Sequence, residues 1–218
     1  MTNSGSEAQA VTRLVGRGLR WVLLAAIAVF VIQTSGKAVL AAFVNDDFPE
    51  ALAIKVELMP WLFPLHMVTG GLALVLVPMT YLLRHHARHH RIAGRITAVD
   101  VILAGITAFP VALMEPVTIW SAAGFSAQAA AWLTLLALAI RAIRRGDVER
   151  HRACMLMMAA VTSGAVFFRI CLALWAIYGQ YRHYHLFYAL DSWLAWAIPL
   201  ALTAFLLNRA GATRTIPE

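Results

Sequence analysis

Long apolar runs alternate with short Arg-rich segments along this chain. Fourteen of the eighteen Lys and Arg residues lie in four such segments, at 13–20, 84–95, 141–152 and 209–214. The apolar runs divide into stretches of roughly 20 residues, the length that crosses about 30 Å of hydrocarbon. Because basic residues stay on the cytoplasmic side, Arg segments after every second crossing predict six transmembrane helices with both termini in the cytoplasm.

The predicted fold class is therefore an all-α integral membrane protein, a six-transmembrane-helix bundle. The predicted spans are 21–43, 61–83, 92–114, 125–143, 153–178 and 188–207. They form one domain over residues 21–208, with a cytoplasmic segment 1–20 before it and a cytoplasmic tail 209–218 after it. Glu50 and Glu57 belong to a predicted acidic outer loop before the second span. With 61% hydrophobic residues, the composition leaves no room for a separate soluble domain.

The formal net charge of +7 raises the question of nucleic acid binding. The Arg residues adjoin hydrophobic spans and form no basic domain of their own, so we exclude nucleic acid as a partner. Arg side chains at the end of a span bind the anionic headgroups of the inner leaflet. The expected partners are the lipid bilayer and these headgroups, and assembly into an oligomer or a larger membrane complex stays open.

His66 and Gly70 suggest a cofactor site in the second span. His66 lies about a turn and a half below Trp61, and Gly70 follows it one turn later. An imidazole above a nearly bare backbone leaves room for a flat macrocycle, which makes His66 a candidate ligand of haem b. In the alternative interpretation His66 is a packing residue and the small residues serve close helix contact. The spans hold no second histidine at this depth.

A polar cluster is predicted at the same outer depth. Arg169 lies eighteen residues after His151, roughly 27 Å along the fifth span, and Lys37, Glu115 and Asp191 reach a similar level. The guanidinium suits an anion, a haem propionate or a quinone oxygen. In the alternative, Arg169 forms an ion pair with Glu115 or Asp191 that fixes helix packing. Lys37 is expected to extend toward the outer headgroups.

Histidines also occur at the inner surface, within a weak internal repeat. His66 precedes His90 by twenty-four residues and Gln128 precedes His151 by twenty-three, which suggests two duplicated helical hairpins. His90 and His151 each open a helix, so they can face each other and bind a metal, a haem or a quinone headgroup. Alternatively, both bind lipid phosphate. Asp100, two turns into the third span, is expected to pair with Arg95 or another inner basic residue.

The order of several short motifs resembles one known family. These motifs are His89-His90-Arg91-Ile92-Ala93-Gly94-Arg95, Gly124-Phe125, Arg145-Gly146-Asp147, His151-Arg152 with Met155, and Phe168-Arg169-Ile170. Over residues 66–207 the chain resembles the predicted bacterial membrane proteins called domain of unknown function 2306. The resemblance implies a compact multi-helix, multi-pass protein of the bacterial inner membrane, and it brings no established activity.

Three functions remain open after the sequence is searched for catalytic motifs. It holds no phosphate-binding Gly loop, nucleophile elbow or HExxH site, so no metal centre is predicted and an enzymatic activity is left open. The first function is a redox-linked protein that binds haem b or quinone, using His66, Gly70 and Arg169 outside and His90 and His151 inside. The others are a small transporter or proton-coupled carrier and a non-catalytic membrane assembly subunit. The redox function is favoured because histidines occur at both membrane faces.

Overall fold

The computed structural model describes residues 25, 26, 28–33, 36, 37, 40, 50–114, 117–179 and 182–212. Every regular element within these residues is helical, which confirms the all-α class. The helices are α1 (Glu50–Leu58), α2 (Leu62–Leu82), α3 (Ala87–Leu113), α4 (Ile119–Arg144), α5 (Val148–Tyr178) and α6 (Tyr184–Ala212). A short 3-10 turn, Leu83–His85, joins α2 to α3.

Five of the described helices, α2 to α6, are long and apolar enough to cross a membrane. They correspond to the second to sixth predicted spans. Large apolar side chains cover their outer faces, and Val99, Ile106 and Ile198 are each more than half exposed. Such faces suit contact with lipid tails, because exposing an apolar side chain to hydrocarbon carries no free-energy cost. The predicted first span, 21–43, is described only in part, and its described residues from 25 to 40 are helical.

Several helix boundaries differ from their predicted positions. Residues Glu50–Leu58 form α1, whereas the sequence analysis assigned them to an outer loop. Helix α4 begins six residues before its predicted start, since Thr118 and Ser121 form a capping box. Asp147 likewise caps α5 by accepting a hydrogen bond from the Arg150 amide at 2.9 Å. Polar capping residues accept hydrogen bonds from the free amides of a first helical turn. Because these residues are not apolar, a helix start that they define is not visible in the hydropathy of the sequence.

Four helices form a closed ring, and α6 packs against its outside. The hairpins α2–α3 and α4–α5 contact each other through α3 with α4 and through α2 with α5, while α6 packs on α4 and α5. Val77, Val101, Leu136 and Met158, one from each helix of the ring, form the buried centre. This layer separates two ends of the bundle. We call them the His90 end, with the Leu83–His85 turn, and the His66 end, with Met114, Val117 and Thr118.

Candidate functional site

A cavity of about 450 Å³ lies at the His66 end and is lined by residues from all six labelled helices. Four of the residues singled out in the sequence line it: His66, Gly70, Arg169 and Asp191. Their positions along the chain span more than one hundred residues, so only the packing of α2 against α5 and of α5 against α6 brings them together. The cavity size falls within the range of small-molecule and cofactor sites.

Hydrogen bonds fix the orientation of His66. Its Nδ1 lies 3.2 Å from the carbonyl oxygen of Ala104 and 3.2 Å from the hydroxyl oxygen of Thr107. A carbonyl oxygen only accepts, so Nδ1 carries the ring hydrogen and donates it. The lone pair then resides on Nε2, which hydrogen-bonds no described residue. His66 therefore presents an unused base or metal ligand beside the cavity.

Gly70 has open space above it. A Cβ built on Gly70 would meet no heavy atom within 4 Å, whereas a Cβ on Gly164 would lie 2.6 Å from the Cβ of Trp196. Gly164 is thus a glycine of close helix contact, and Gly70 is not. Gly70 itself makes no close helix contact, so the room predicted beside His66 is present, while the hydrogen bond of His66 to the Ala104 carbonyl is one that the packing alternative also expects.

Arg169 lines the cavity with an exposed side chain, and none of the described carboxylates forms an ion pair with it. Its Nη1 donates to the carbonyl oxygen of Ala165 at 2.8 Å, one turn earlier on α5. Asp191 lines the same cavity, yet no described carboxylate lies within 4 Å of the guanidinium. The expected pairing of Arg169 with Asp191 is therefore wrong, and Glu115, the other expected partner, lies outside the described residues. The guanidinium retains further N–H donors for a ligand.

Asp191 is buried with one oxygen unsatisfied. Its side chain is 6% exposed, and Oδ2 has no hydrogen-bond partner among the described residues. The Cys171 thiol on α5 lies within hydrogen-bonding reach of this carboxylate. A buried polar atom without a partner is uncommon in proteins and points to a ligand, a water or a catalytic use. Asp191 thus supplies a second polar group on the wall of the cavity.

The predicted outer cluster is smaller than the sequence indicated. Lys37 is helical and exposed, and it is not among the residues that line the cavity. Lys55, which the sequence analysis overlooked, lines it instead. The Lys55 ammonium donates to the carbonyl oxygens of Val111 at 3.0 Å and Met114 at 2.6 Å. It closes the carboxyl end of α3, and only the formation of α1 brings it there.

Aromatic rings form one wall of the cavity. Phe125, Phe168 and Tyr188 contact one another edge to face, with ring centroids 5.2 to 5.9 Å apart. The Trp132 indole, which also lines the cavity, donates to the Thr162 hydroxyl at 2.9 Å. Rings arranged in this way favour a planar apolar ligand. The sequence analysis named Phe125 and Phe168 only within family motifs and gave their rings no role, since aromatic residues at helical spacing are common in any apolar core.

His90 and His151 meet at the opposite end of the bundle. Their ring centroids are 6.5 Å apart, with the ring planes at 80°. Each Nδ1 lies 3.0 Å from a carbonyl oxygen of the preceding helix, of Thr80 for His90 and of Ala139 for His151. Neither histidine lines the cavity. The five predicted cofactor residues therefore divide between two ends, with His66, Gly70 and Arg169 at one and the histidine pair at the other.

Asp100 also differs from its expected arrangement. It is 7% exposed, and its Oδ2 has no hydrogen-bond partner within the described part of the chain. Arg95 is exposed and forms no ion pair with Asp100, so the pairing expected with Arg95 is wrong, and no other basic side chain among the described residues pairs with Asp100. About one and a half turns of α3 separate Arg95 from Asp100, so their side chains point to different sides of the helix. Across the described ranges, no three His, Cys, Asp or Glu side chains gather closely enough to hold a metal ion.

Comparison with known proteins places the chain in a family. The family model described as predicted membrane protein (DUF2306) matches residues 63–207, about two thirds of the chain. This range begins in α2 and ends in α6, so it contains the histidine pair and all described lining residues of the cavity except Lys55. Comparison with curated proteins and with solved structures gives no significant match.

Proposed function

Since the chain belongs to the DUF2306 family of predicted membrane proteins, whose description names no activity, we propose its function from the cavity itself. The proposed function is the binding of a planar redox cofactor, haem b or a quinone, between α2, α4 and α5. One observation carries the proposal. The Nε2 atom of His66 is unused beside open space at Gly70, in a cavity that also holds Arg169 and an aromatic wall.

The residues fit one side of a haem. Histidines that ligate a metal almost always donate their other ring N–H to a carbonyl or carboxylate, as His66 does to Ala104. Arg169 supplies donors for a propionate. When bound, haem supplies one-electron chemistry. The described cavity lining contains no second histidine, and Met67 is adjacent to His66 on the same helix, so it cannot ligate from the opposite face.

A quinone fits the same groups without a second axial ligand. The Arg169 guanidinium would donate to a carbonyl oxygen of the quinone, and the His66 Nε2 would accept a hydrogen bond from a hydroxyl of the reduced quinol. Phe125 and Phe168 pack against the ring. The single histidine of the cavity favours a quinone, whereas the carbonyl-bound Nδ1 favours haem. Both are planar redox groups, and one experiment separates them.

The test compares purified wild-type protein with His66→Ala and with His185→Ala. His185 lies at the same end of the bundle but does not line the cavity, so it is the matched control. Each protein is examined by visible spectrum and by thermal unfolding with and without hemin or a ubiquinone analogue. Ligand at about one hundred times its Kd should stabilise wild type and the control by about 2.7 kcal/mol.

The compound that changes the visible spectrum or the thermal stability of the protein identifies the cofactor. A Soret band that His66→Ala loses identifies haem, and a thermal shift with the quinone analogue alone identifies a quinone. If His66→Ala responds as wild type does, His66 is not the ligand. If no protein responds to either compound, the redox function is wrong and the assembly subunit takes its place.

A proton-coupled carrier is the second candidate, because the cavity holds ionisable groups that are not paired with each other. Asp191 has an unsatisfied oxygen, and the Arg169 guanidinium lies on the same cavity at a separation beyond 4 Å. A substrate that bears both a cationic and an anionic group can bridge such residues. In a carrier of this kind, an amphiphilic ion rather than hemin or quinone would stabilise the protein.

We further propose that the first predicted span completes a six-helix bundle with both termini in the cytoplasm of a bacterium. The helical residues from 25 to 40 and the Arg segments at the His90 end support this topology. Under this proposal the domain limits are 1–20, 21–208 and 209–218, and the His90 end faces the anionic inner leaflet. Its partners are the lipids there and further copies or subunits of a membrane complex.

A further inference from the structure

The cavity at the His66 end is elongated along the helices that line it. Three helices contribute lining residues over the same length, at 63–74 on α2, 121–132 on α4 and 161–172 on α5. The two ends of each range are eleven positions apart, which is roughly 17 Å of helical rise. The cavity therefore extends from the His66 end through about half of the 30 Å or so of hydrocarbon that a bundle of this kind crosses.

The buried centre of the bundle forms the floor of the cavity. Val77, Leu136 and Met158 each lie three or four positions beyond the last lining residue of their helix, which is about one helical turn. All three are at most 4% exposed and pack together with Val101 of α3. Described side chains therefore close the cavity toward the His90 end.

His66 and Arg169 lie at one level inside the cavity. Each is three positions from the upper margin of its range and eight positions from the lower margin, which leaves roughly 12 Å of cavity below them. We call this part the lower section. Lys55 and Ser121 line the cavity at its upper margin, so an apolar chain gains little by extending that way. The unused Nε2 of His66 and the guanidinium donors suit a polar head at their own level.

The lower section presents an apolar surface, because its polar groups bond to the protein. The Gln128 amide donates to the Val161 carbonyl oxygen at 3.2 Å. The Thr162 hydroxyl donates to the Met158 carbonyl oxygen at 2.9 Å and accepts from the Trp132 indole at 2.9 Å. The other residues that line this section on α2, α4 and α5 are apolar or glycine. An apolar chain fits here without stranding a polar group.

We propose that the cavity selects an amphiphile with a planar polar head and one short apolar chain, the chain extending into the lower section. This inference rests on the proposed function, and of the two cofactors it favours a quinone, since haem b carries no such chain. A chain longer than roughly 12 Å meets the closed floor and lifts the head away from His66 and Arg169. Leu74 and Ala129, which line the lower section and are 6% and 3% exposed, set its depth and width.

The experiment measures how binding depends on chain length. Full-length purified protein is titrated in one detergent with benzoquinone analogues that differ only in an alkyl side chain, from methyl through decyl to dodecyl. Ala129→Leu narrows the lower section, and Ala130→Leu adds the same atoms to the exposed face of α4 as its matched control. Leu74→Ala deepens the section, and Leu72→Ala on the exposed face of α2 is its control. The ratio of the two Kd values within a pair cancels the uptake of each compound by detergent.

Both ratios should change with chain length and in opposite directions. Ala129→Leu should bind the methyl compound as its control does and the decyl compound about tenfold more weakly, the change that about 1.4 kcal/mol of overpacking produces. Leu74→Ala should leave the methyl compound unaffected and bind the dodecyl compound about tenfold more tightly than its control, because the new space accepts the end of the chain.

Ratios that stay the same at every chain length overturn the proposal. If Ala129→Leu does not fold, the Leu74 pair decides the matter by itself. Binding of every analogue with constant ratios leaves the redox function standing and removes only the chain selectivity, as does binding of hemin without any quinone analogue. If neither hemin nor any analogue binds wild type, the proposed function and this inference are both wrong.

Discussion

Replacing Gly70 by alanine tests whether the space beside His66 is open, as the structure indicates. A new Cβ at Gly70 meets nothing within 4 Å, so it adds no steric cost. Glycine inside a helix is less favourable than alanine by about 0.5 to 1 kcal/mol, and Gly70→Ala should raise the free energy of unfolding by that amount. A leucine at the same position should extend into the cavity and exclude a planar ligand.

Gly164→Ala is the matched comparison, since it adds the same methyl group to a transmembrane helix. Here the new Cβ lies 2.6 Å from the Trp196 Cβ and 3.0 Å from the Trp196 Cα, and backbone cannot yield cheaply. Overpacking of this kind costs about 1 to 3 kcal/mol. The helix preference for alanine over glycine offsets part of this cost. Gly70→Ala should therefore raise the free energy of unfolding and Gly164→Ala should lower it, so that the two variants differ by about 2 kcal/mol.

The assay is thermal or denaturant unfolding of both variants in the same detergent, followed by the ligand response of Gly70→Ala and Gly70→Leu. Gly70→Ala should keep the stabilisation by hemin or the quinone analogue, and Gly70→Leu should lose it while remaining folded. Equal destabilisation by Gly70→Ala and Gly164→Ala would refute the reasoning, because it would mean that Gly70 contacts a neighbouring helix. An unchanged ligand response in Gly70→Leu would place the ligand elsewhere.

Two further predictions concern the start of α4 and the membrane topology. Thr118→Ala removes the side chain that accepts from the Ser121 amide at 3.0 Å, and it should lower the free energy of unfolding by about 0.5 to 2 kcal/mol, whereas Thr118→Ser should retain most of it. Equal losses in the two variants would argue against the cap. Reporter domains fused after Arg145 or at the carboxyl end should be cytoplasmic, and those inserted near Asp47 or Arg182 should be periplasmic. Periplasmic activity from the Arg145 fusion would overturn the six-span topology.

The sequence by itself determined the helical class and the approximate positions of five spans. Lipid cannot hydrogen-bond a backbone, so a spanning segment must be a helix of about 20 apolar residues, and that requirement is readable from composition alone. The depth of a residue follows in the same way, by counting along a helix of known rise. Counting of this kind grouped His66, Arg169 and Asp191, and all three line one cavity in the structure.

Only the tertiary structure decided which side chains at that level meet. A shared depth says nothing about direction around the helix axis, so of the two partners expected for Arg169, Asp191 lines the same cavity without pairing, and Glu115 lies outside the described residues. The same limit applied to Asp100, which is buried while Arg95 is exposed on another side of α3. The unused Nε2 of His66 and the space above Gly70 depend on α3 and α5, whose positions come from helix packing. Packing is a long-range interaction between segments, and no local pattern in the chain encodes it.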